Sequence, residues 1–490
     1  MTAQTHTPNQ SRPHSGDELV LSRGELKPLA SLIKQIGLSD YFSGDAVVWG
    51  RDPIIRSPHH LGEASAIAQL LIGIAGASVW NHRSGKTTDV AIDIVDALHF
   101  LHPTHFVQQQ GRAINVGAES VDVNNLYQCR DGRYVMLEAG PPYAKLLKGY
   151  LKFFDCGDSK DSYAREVLKW DSIELESALS AAGLPVCRAL SREEWLAHPQ
   201  GSLLSQAPVI EIEKIADGPR VSLSELSSGV PPLDGIRVLD FTHVLAGPRS
   251  ARSLAEYGAD VLHISSPTYP DTFAQHLGVD IGKRCAYLDL RDATDRTMML
   301  ELAESADVFT TSYRRTVNER FGLLPETLAG QSKRGIVCMT VNAYGHHGPW
   351  TDRPGFDQNG QVASGFAFRE GAPGKPKFSP VFYLADLVTG YLAAAGTMAA
   401  LLRRSKEGGS YHVKLSLARS AMWVQEFGLL NLELQKELPT IDSYPAKFQT
   451  MDTVYGSVTN LRPPLAFSNF RLPLTTYLEP YGASLATWRQ

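Results

Sequence analysis

Asp386 stands immediately ahead of a long apolar stretch, Leu387–Arg403, with the small-residue composition of a buried helix. An acidic residue there is ordinarily an N-cap, because its oxygens accept the orphan N–H groups of the first turn. A helix start also favours the ionised form of a carboxylate, and the ionised form is the one that attacks an acyl carbonyl. Glu63 holds the matching place before a second stretch of similar composition. Its extra methylene shifts the oxygens by about a bond length, more than near-attack geometry tolerates. Glu63 is therefore read as a cap alone.

The turn Thr242–Pro248 follows an apolar strand, where nucleotide-binding enzymes place their phosphate loop. It carries a single glycine, Gly247, and lacks the GxGxxG pattern that lets backbone approach a pyrophosphate. A nicotinamide dehydrogenase is disfavoured, and the Walker lysine pattern is absent too. The five cysteines, Cys129, Cys156, Cys187, Cys285 and Cys338, form no CxxC pair, so neither a disulfide framework nor a zinc site is expected. That usage fits a cytoplasmic location.

These residues must be positioned by elements the pattern also supplies. Residues 61–94, LGEASAIAQLLIGIAGASVWNHRSGKTTDVAIDI, align with 384–417, LADLVTGYLAAAGTMAALLRRSKEGGSYHVKLSL. Each is an acidic residue, an apolar helix, a basic end, a Gly turn and a strand. Between the copies, residues 125–139 predict a hairpin turning at Asp131-Gly132, followed by helical patterns. The stretch 224–235 predicts a linker. From Ile236 onward strands alternate with helices, which argues for a parallel sheet with binding residues at the carboxyl ends of its strands.

Of 490 residues, 43% are hydrophobic and 20% charged, with a net charge of −5. This composition supports a globular chain and gives no basis for bulk nucleic-acid or membrane-surface binding. No apolar run is expected to cross a membrane. The expected segments are a disordered tail over 1–20, the duplicated helix and strand over 21–119, a small α/β domain over 120–215, a large domain over 231–430 and a C-terminal wrapping tail over 431–490.

The blocks PPLDGIRVLDFTHVLAGP, GADVLHI, GKRCAYLDLRD, ADVFTTSYRRTVNERFGL and YGHHGPWTDRPGFDQNGQVASG, together with the second copy of the repeat, resemble the class III CoA-transferase family (CaiB/BaiF type) over about 231–430. Residues 60–220 resemble the family's later half, placed ahead of its first half. The resemblance implies an α/β fold, a parallel Rossmann-like sheet covered by helices with a second, smaller α/β domain. It also implies transfer of CoA from an acyl-CoA donor to a carboxylic-acid acceptor by a homodimer, with coenzyme A as substrate, no permanently bound cofactor and no metal. Asp386 takes the position of the family's nucleophile. Lys283, Arg284 and Arg320 match positions that contact the nucleotide portion, Tyr313 an aromatic beside the coenzyme, and His243 and Ala246 the loop lining the channel.

Departures refine the expectation. Leu245 replaces the glutamine of formate-specific members. Ser265 and Ser266 replace an acidic and a basic residue after the second strand. Phe356, in Gly355-Phe356-Asp357, stands where racemases carry a histidine and cannot accept a proton. Backbone N–H groups in 364–374 are expected to stabilise oxyanions. A racemase and a non-catalytic acyl-CoA-binding relative are the alternatives.

Overall fold

The computed structural model describes residues 20–22, 25–114, 122–140, 143–435 and 437–489. The expected tail lies outside the described residues except for Val20.

The alternating strand and helix pattern after Ile236 folds as expected. A seven-stranded sheet runs in the order Arg284–Tyr287, Asp260–Ser265, Arg237–Phe241, Val308–Thr311, Val337–Asn342, Ser410–Ser416 and Glu211–Ala216. All neighbours pair in parallel except the last, which is antiparallel. Among the parallel strands the chain starts in the third, builds to one edge and then returns to the other side. The order thus reverses between Arg237–Phe241 and Val308–Thr311, a switch point of the kind at whose carboxyl ends open α/β sheets bind ligands. Glu211–Ala216, whose first five residues are expected in the small domain, instead completes the large sheet, where Lys414 pairs with Glu211 and Glu213.

The repeat is wider than its sequence signature. Leu61 and Leu384 begin the two long helices and Ser84 and Glu407 end them, a constant offset of 323 positions that recurs at Ile94 and Leu417, where the next helices start. Gly85 and Gly408 close the long helices at φ of 69° and 71°, a conformation glycine adopts without a Cβ penalty. Strand Ala46–Trp49 runs parallel to Val90–Asp93, as Val337–Asn342 does to Ser410–Ser416. The first copy therefore retains only the second half of a doubly wound unit.

The two long helices pack on one another, Leu384–Glu407 also packs on Ala246–Glu256, and their Ala and Gly positions permit a close approach. A Cβ on Gly390 would lie 2.8 Å from the Ala246 carbonyl oxygen, so backbone meets backbone there. Both helices pass the length and hydropathy test for a membrane span, with mean hydropathy 1.4. This corrects the expectation that no run was long enough. Their most apolar stretches are 94% and 100% buried in protein, and each buried Leu or Ile contributes about 1.5–3 kcal/mol there.

The hairpin Asn125–Gln128 and Tyr134–Leu137 forms as predicted and gains a third strand, Val186–Arg188. With three helices it encloses a core of its own around Tyr127, Tyr150, Tyr163 and Leu175. The stretch 224–235 is pinned rather than free: the Arg83 guanidinium donates to the carbonyls of Ser224, Pro232 and Asp234. The C-terminal segment adds strands to the first copy and then runs along the large sheet's edge, where Glu479 accepts from the Cys285 N–H at 2.5 Å.

Candidate active site

The switch point places two predicted residues together. His243 follows strand Arg237–Phe241, Tyr313 follows Val308–Thr311, and their rings stack at 4.3 Å. Ser312 Oγ accepts the His243 N–H at 2.9 Å, and Asp271 accepts the Val244 N–H at 2.9 Å. The second contact holds Val244 at φ 68°, a strained conformation for a β-branched residue. The turn is thereby fixed so that helix Ala246–Glu256 starts beneath it.

Asp386 is the third residue of helix Leu384–Glu407, not its N-cap, which is Tyr383. The helix start is instead capped from outside, since Asp357 accepts the Asp386 N–H at 2.6 Å. This corrects the expected geometry: the Asp386 carboxylate does not cap its own helix. Asp386 is 5% exposed. Burial first, and then the Asp357 charge, push its pKa well above the usual carboxylate range, while the Ala246 N–H opposes them. Burial likewise raises Asp357 to about 7. One helix thus presents a carboxylate to the start of another, with a second carboxylate behind it. Such a pair shares protons as a unit.

The small domain completes this enclosure within the same chain. The Tyr143 hydroxyl hydrogen-bonds His243 Nδ1, and the Tyr143 ring lies 5.7 Å from that of Phe356. Glu138, at the end of strand Tyr134–Leu137, is buried within reach of the Asp357 and Asp386 charges. Burial lowers the His243 pKa to about 4, so its ring is neutral at pH 7. Sequence reasoning missed Tyr143, Glu138 and the capping role of Asp357. A Glu ending the apolar run YVML was the signal available for Glu138.

The cationic residues separate into two groups. Lys283 is wholly buried, and its ammonium donates to Asp240 and Asp280 at 2.9 Å each. Arg284 pairs with Asp260 and donates to the Thr487 carbonyl at 2.7 Å. Neither presents a free cation to a phosphate here, because each charge is neutralised internally. Arg320 is exposed, with its guanidinium over the Phe321 ring, and Arg314 and Arg315 are exposed nearby in sequence. In the 364–374 segment, Gly365 abuts the backbone of Arg192, a packing role between the domains.

Glu63 repeats part of the Asp386 arrangement. It is also the third residue of its helix, and Asp52 accepts its N–H at 2.8 Å. Here His60 Nδ1 lies 3.2 Å from the Glu63 carboxylate. Burial would raise the Glu63 pKa, but the His60 bond and charge outweigh it and hold the carboxyl below its usual range. Asp52, His60 and Glu63 bring ligand atoms within 4.8 Å of one another. The Asp52 oxygens already accept N–H groups of Ile54, Gly62 and Glu63, and the positive end of a helix disfavours a cation. The trio is a cap with an ion pair.

A family model described as CoA-transferase family III matches residues 233–453. An acyl-CoA transferase of Gibberella moniliformis is 32% identical over 406 residues, covering 74% of this chain and 70% of its own. An acetyl-coenzyme A transferase of Hypoxylon pulicicidum is 28% identical over 340 residues, covering 65% of this chain and 57% of its own. The chain thus spans little more than half the length of that relative. A CAIB/BAIF family protein of known structure from Brucella suis is 24% identical with a TM-score of 0.38, over 46% of this chain and 65% of its own.

Proposed function

This chain belongs to CoA-transferase family III, and from that membership we propose that it transfers coenzyme A from an acyl-CoA to a carboxylic acid, with Asp386 as nucleophile. The observation that carries the reading is the Asp386 carboxylate, buried as the third residue of a helix that Asp357 caps, so that it does not cap its own helix.

Asp386 attacks the donor thioester carbonyl and expels CoA as a thiolate, leaving a mixed anhydride. The thiolate attacks the aspartyl carbonyl, forming an aspartyl-CoA thioester and releasing the donor acid. The acceptor carboxylate attacks that thioester and regenerates the thiolate, which then takes the acyl group from the second anhydride and frees Asp386. Every step moves an acyl group between nucleophiles, so what the chain must supply is position, dryness and control of one carboxylate's charge.

The His243–Tyr313 stack and Ala246 are assigned to the channel for the coenzyme, and the exposed Arg320 to its phosphates. Phe356 supports transfer over racemisation, since its hydrocarbon ring cannot move a proton at an α-carbon. A homodimer in the cytoplasm is part of the same reading. Because Tyr143 and Glu138 close the site from within the chain, dimerisation is assigned to stability rather than to completing the site. Light scattering at micromolar concentration tests the dimer, and a particle of 53.6 kDa refutes it.

Mass spectrometry after incubation with acyl-CoAs and hydroxylamine tests the chemistry. Modification confined to Asp386 is expected. An unmodified protein that still binds acyl-CoA would make the chain a binding relative.

A further inference from the structure

Every transfer of this kind brings a third carboxylate, that of the acid, into a pocket that already holds Asp386 and Asp357. Like charges at such separations in a buried site are costly, so the acid needs a hydrogen-bond donor facing it. Asp357 is already engaged at both oxygens, Oδ2 accepting the Asp386 N–H at 2.6 Å and Oδ1 the side-chain amide of Gln361.

Glu138 is different. Its backbone is fixed by its neighbours, with its own N–H donating to the Tyr150 hydroxyl at 3.2 Å and the Ala139 N–H donating to Asn124 at 2.7 Å. The side chain is 6% exposed. Its Oε2 is buried and has no partner among the described residues. A buried oxygen left without a partner costs about 1–3 kcal/mol, and such a group in a reaction site is expected to meet its partner in the substrate. We propose that Glu138 is the specificity residue for the acid, with Oε2–H donating a hydrogen bond to the carboxylate of the acid that leaves or enters beside Asp386. It rests on the transferase reading and adds to it the residue that receives the acid.

The protonation required agrees with the surroundings. Burial, followed by the Asp357 and Asp386 charges, raises Glu138 well above the ordinary carboxyl range. A proton kept on Glu138 removes one negative charge from the neighbourhood of Asp386, which favours the ionised Asp386 that must attack. The proton stays on Glu138 throughout, so no step gains or loses one.

The test uses the full chain with acetyl-CoA or succinyl-CoA as donor and acetate, succinate or benzoate as acid, and compares wild type, Glu138→Gln and Glu138→Leu. Gln keeps a donor in the same place and Leu removes it. We expect Glu138→Leu to raise KM for the acid at least tenfold while KM for the acyl-CoA stays within twofold, and Glu138→Gln to remain within threefold on both. An unchanged acid KM in Glu138→Leu, or equal damage in Gln and Leu variants that unfold at the wild-type temperature, overturns the inference. An infrared readout does not depend on turnover or on the Leu variant. The protonated-carboxyl band that Glu138→Gln removes should shift when the acid is added to wild type, and its failure to shift with all three acids refutes the assignment. A wild type that transfers nothing but shows the infrared shift refutes the transferase reading while leaving Glu138 as an acid-binding residue.

Discussion

Glu63 and Asp386 occupy the third position of two helices of equal length, and in each the backbone N–H is taken by an aspartate from another segment, Asp52 or Asp357. Around Glu63 the next group is a cation partner, His60. Around Asp386 it is a second acid, Asp357, with burial on every side. The first carboxyl is held down and paired, and the second is pushed up with no cation partner among the described residues. A shared helix start therefore fixes where a carboxylate sits, and its neighbours decide how readily it holds a charge.

The largest break in the comparison comes from Asp386→Ala. Transfer should fall by several orders of magnitude with the fold and CoA binding retained, as loss of a covalent nucleophile requires. Activity within tenfold of wild type in the purified variant removes Asp386 from the mechanism.

Asp357→Asn tests the second acid. Asp386 must be ionised to attack, and the Asp357 charge raises its pKa, so wild-type activity falls as pH drops through that value. Removing the charge lowers the Asp386 pKa and moves the acid limb of the pH–rate profile to lower pH. A limb that stays in place or moves upward shows that the two carboxyls do not interact.

In the first copy the analogous change affects stability. Burial raises Asp52 to about 6, so its contribution is fully present below the unfolded carboxyl pKa and is lost as pH rises through about 6. Asp52→Asn cannot ionise and keeps an acceptor for the helix start. Its unfolding temperature relative to wild type should therefore improve from pH 4 to pH 7, while turnover stays within twofold. A difference that worsens with pH contradicts the burial argument.

Glu63→Gln should have the smallest effect. Its pair with His60 is partly exposed, and such pairs contribute about 0–1 kcal/mol. Turnover should be unchanged, and its loss in a stably folded variant means that the first copy builds a working site.

Much of the large domain was legible because it repeats a local grammar. Strand ends, covering helices and the parallel order follow from periodicity, and the 61–94 and 384–417 match located the helix ends that the structure shares. The position of Asp386 was legible, but its role as third residue was not. Capping by Asp357 spans 29 residues of sequence, and no local rule selects a cap at that distance. Lys283 and Arg284 look like phosphate ligands in sequence. Asp240 and Asp280, which neutralise Lys283, and Asp260, which pairs with Arg284, reach them through the parallel strands and the turn before them.

By itself the sequence determined which segments become strands and helices, the duplication, and the carboxylates at the two helix starts, because hydrophobic period and turn chemistry act over a few residues. The tertiary structure alone decided which carboxylate has no cation partner among the described residues. It also decided that Tyr143 meets His243 and that Glu138 comes within reach of Asp386, although Tyr143 and Glu138 both lie more than 200 residues before Asp386 in the chain. Charge and burial depend on distance in space, and the chain sets that distance only when the two halves pack.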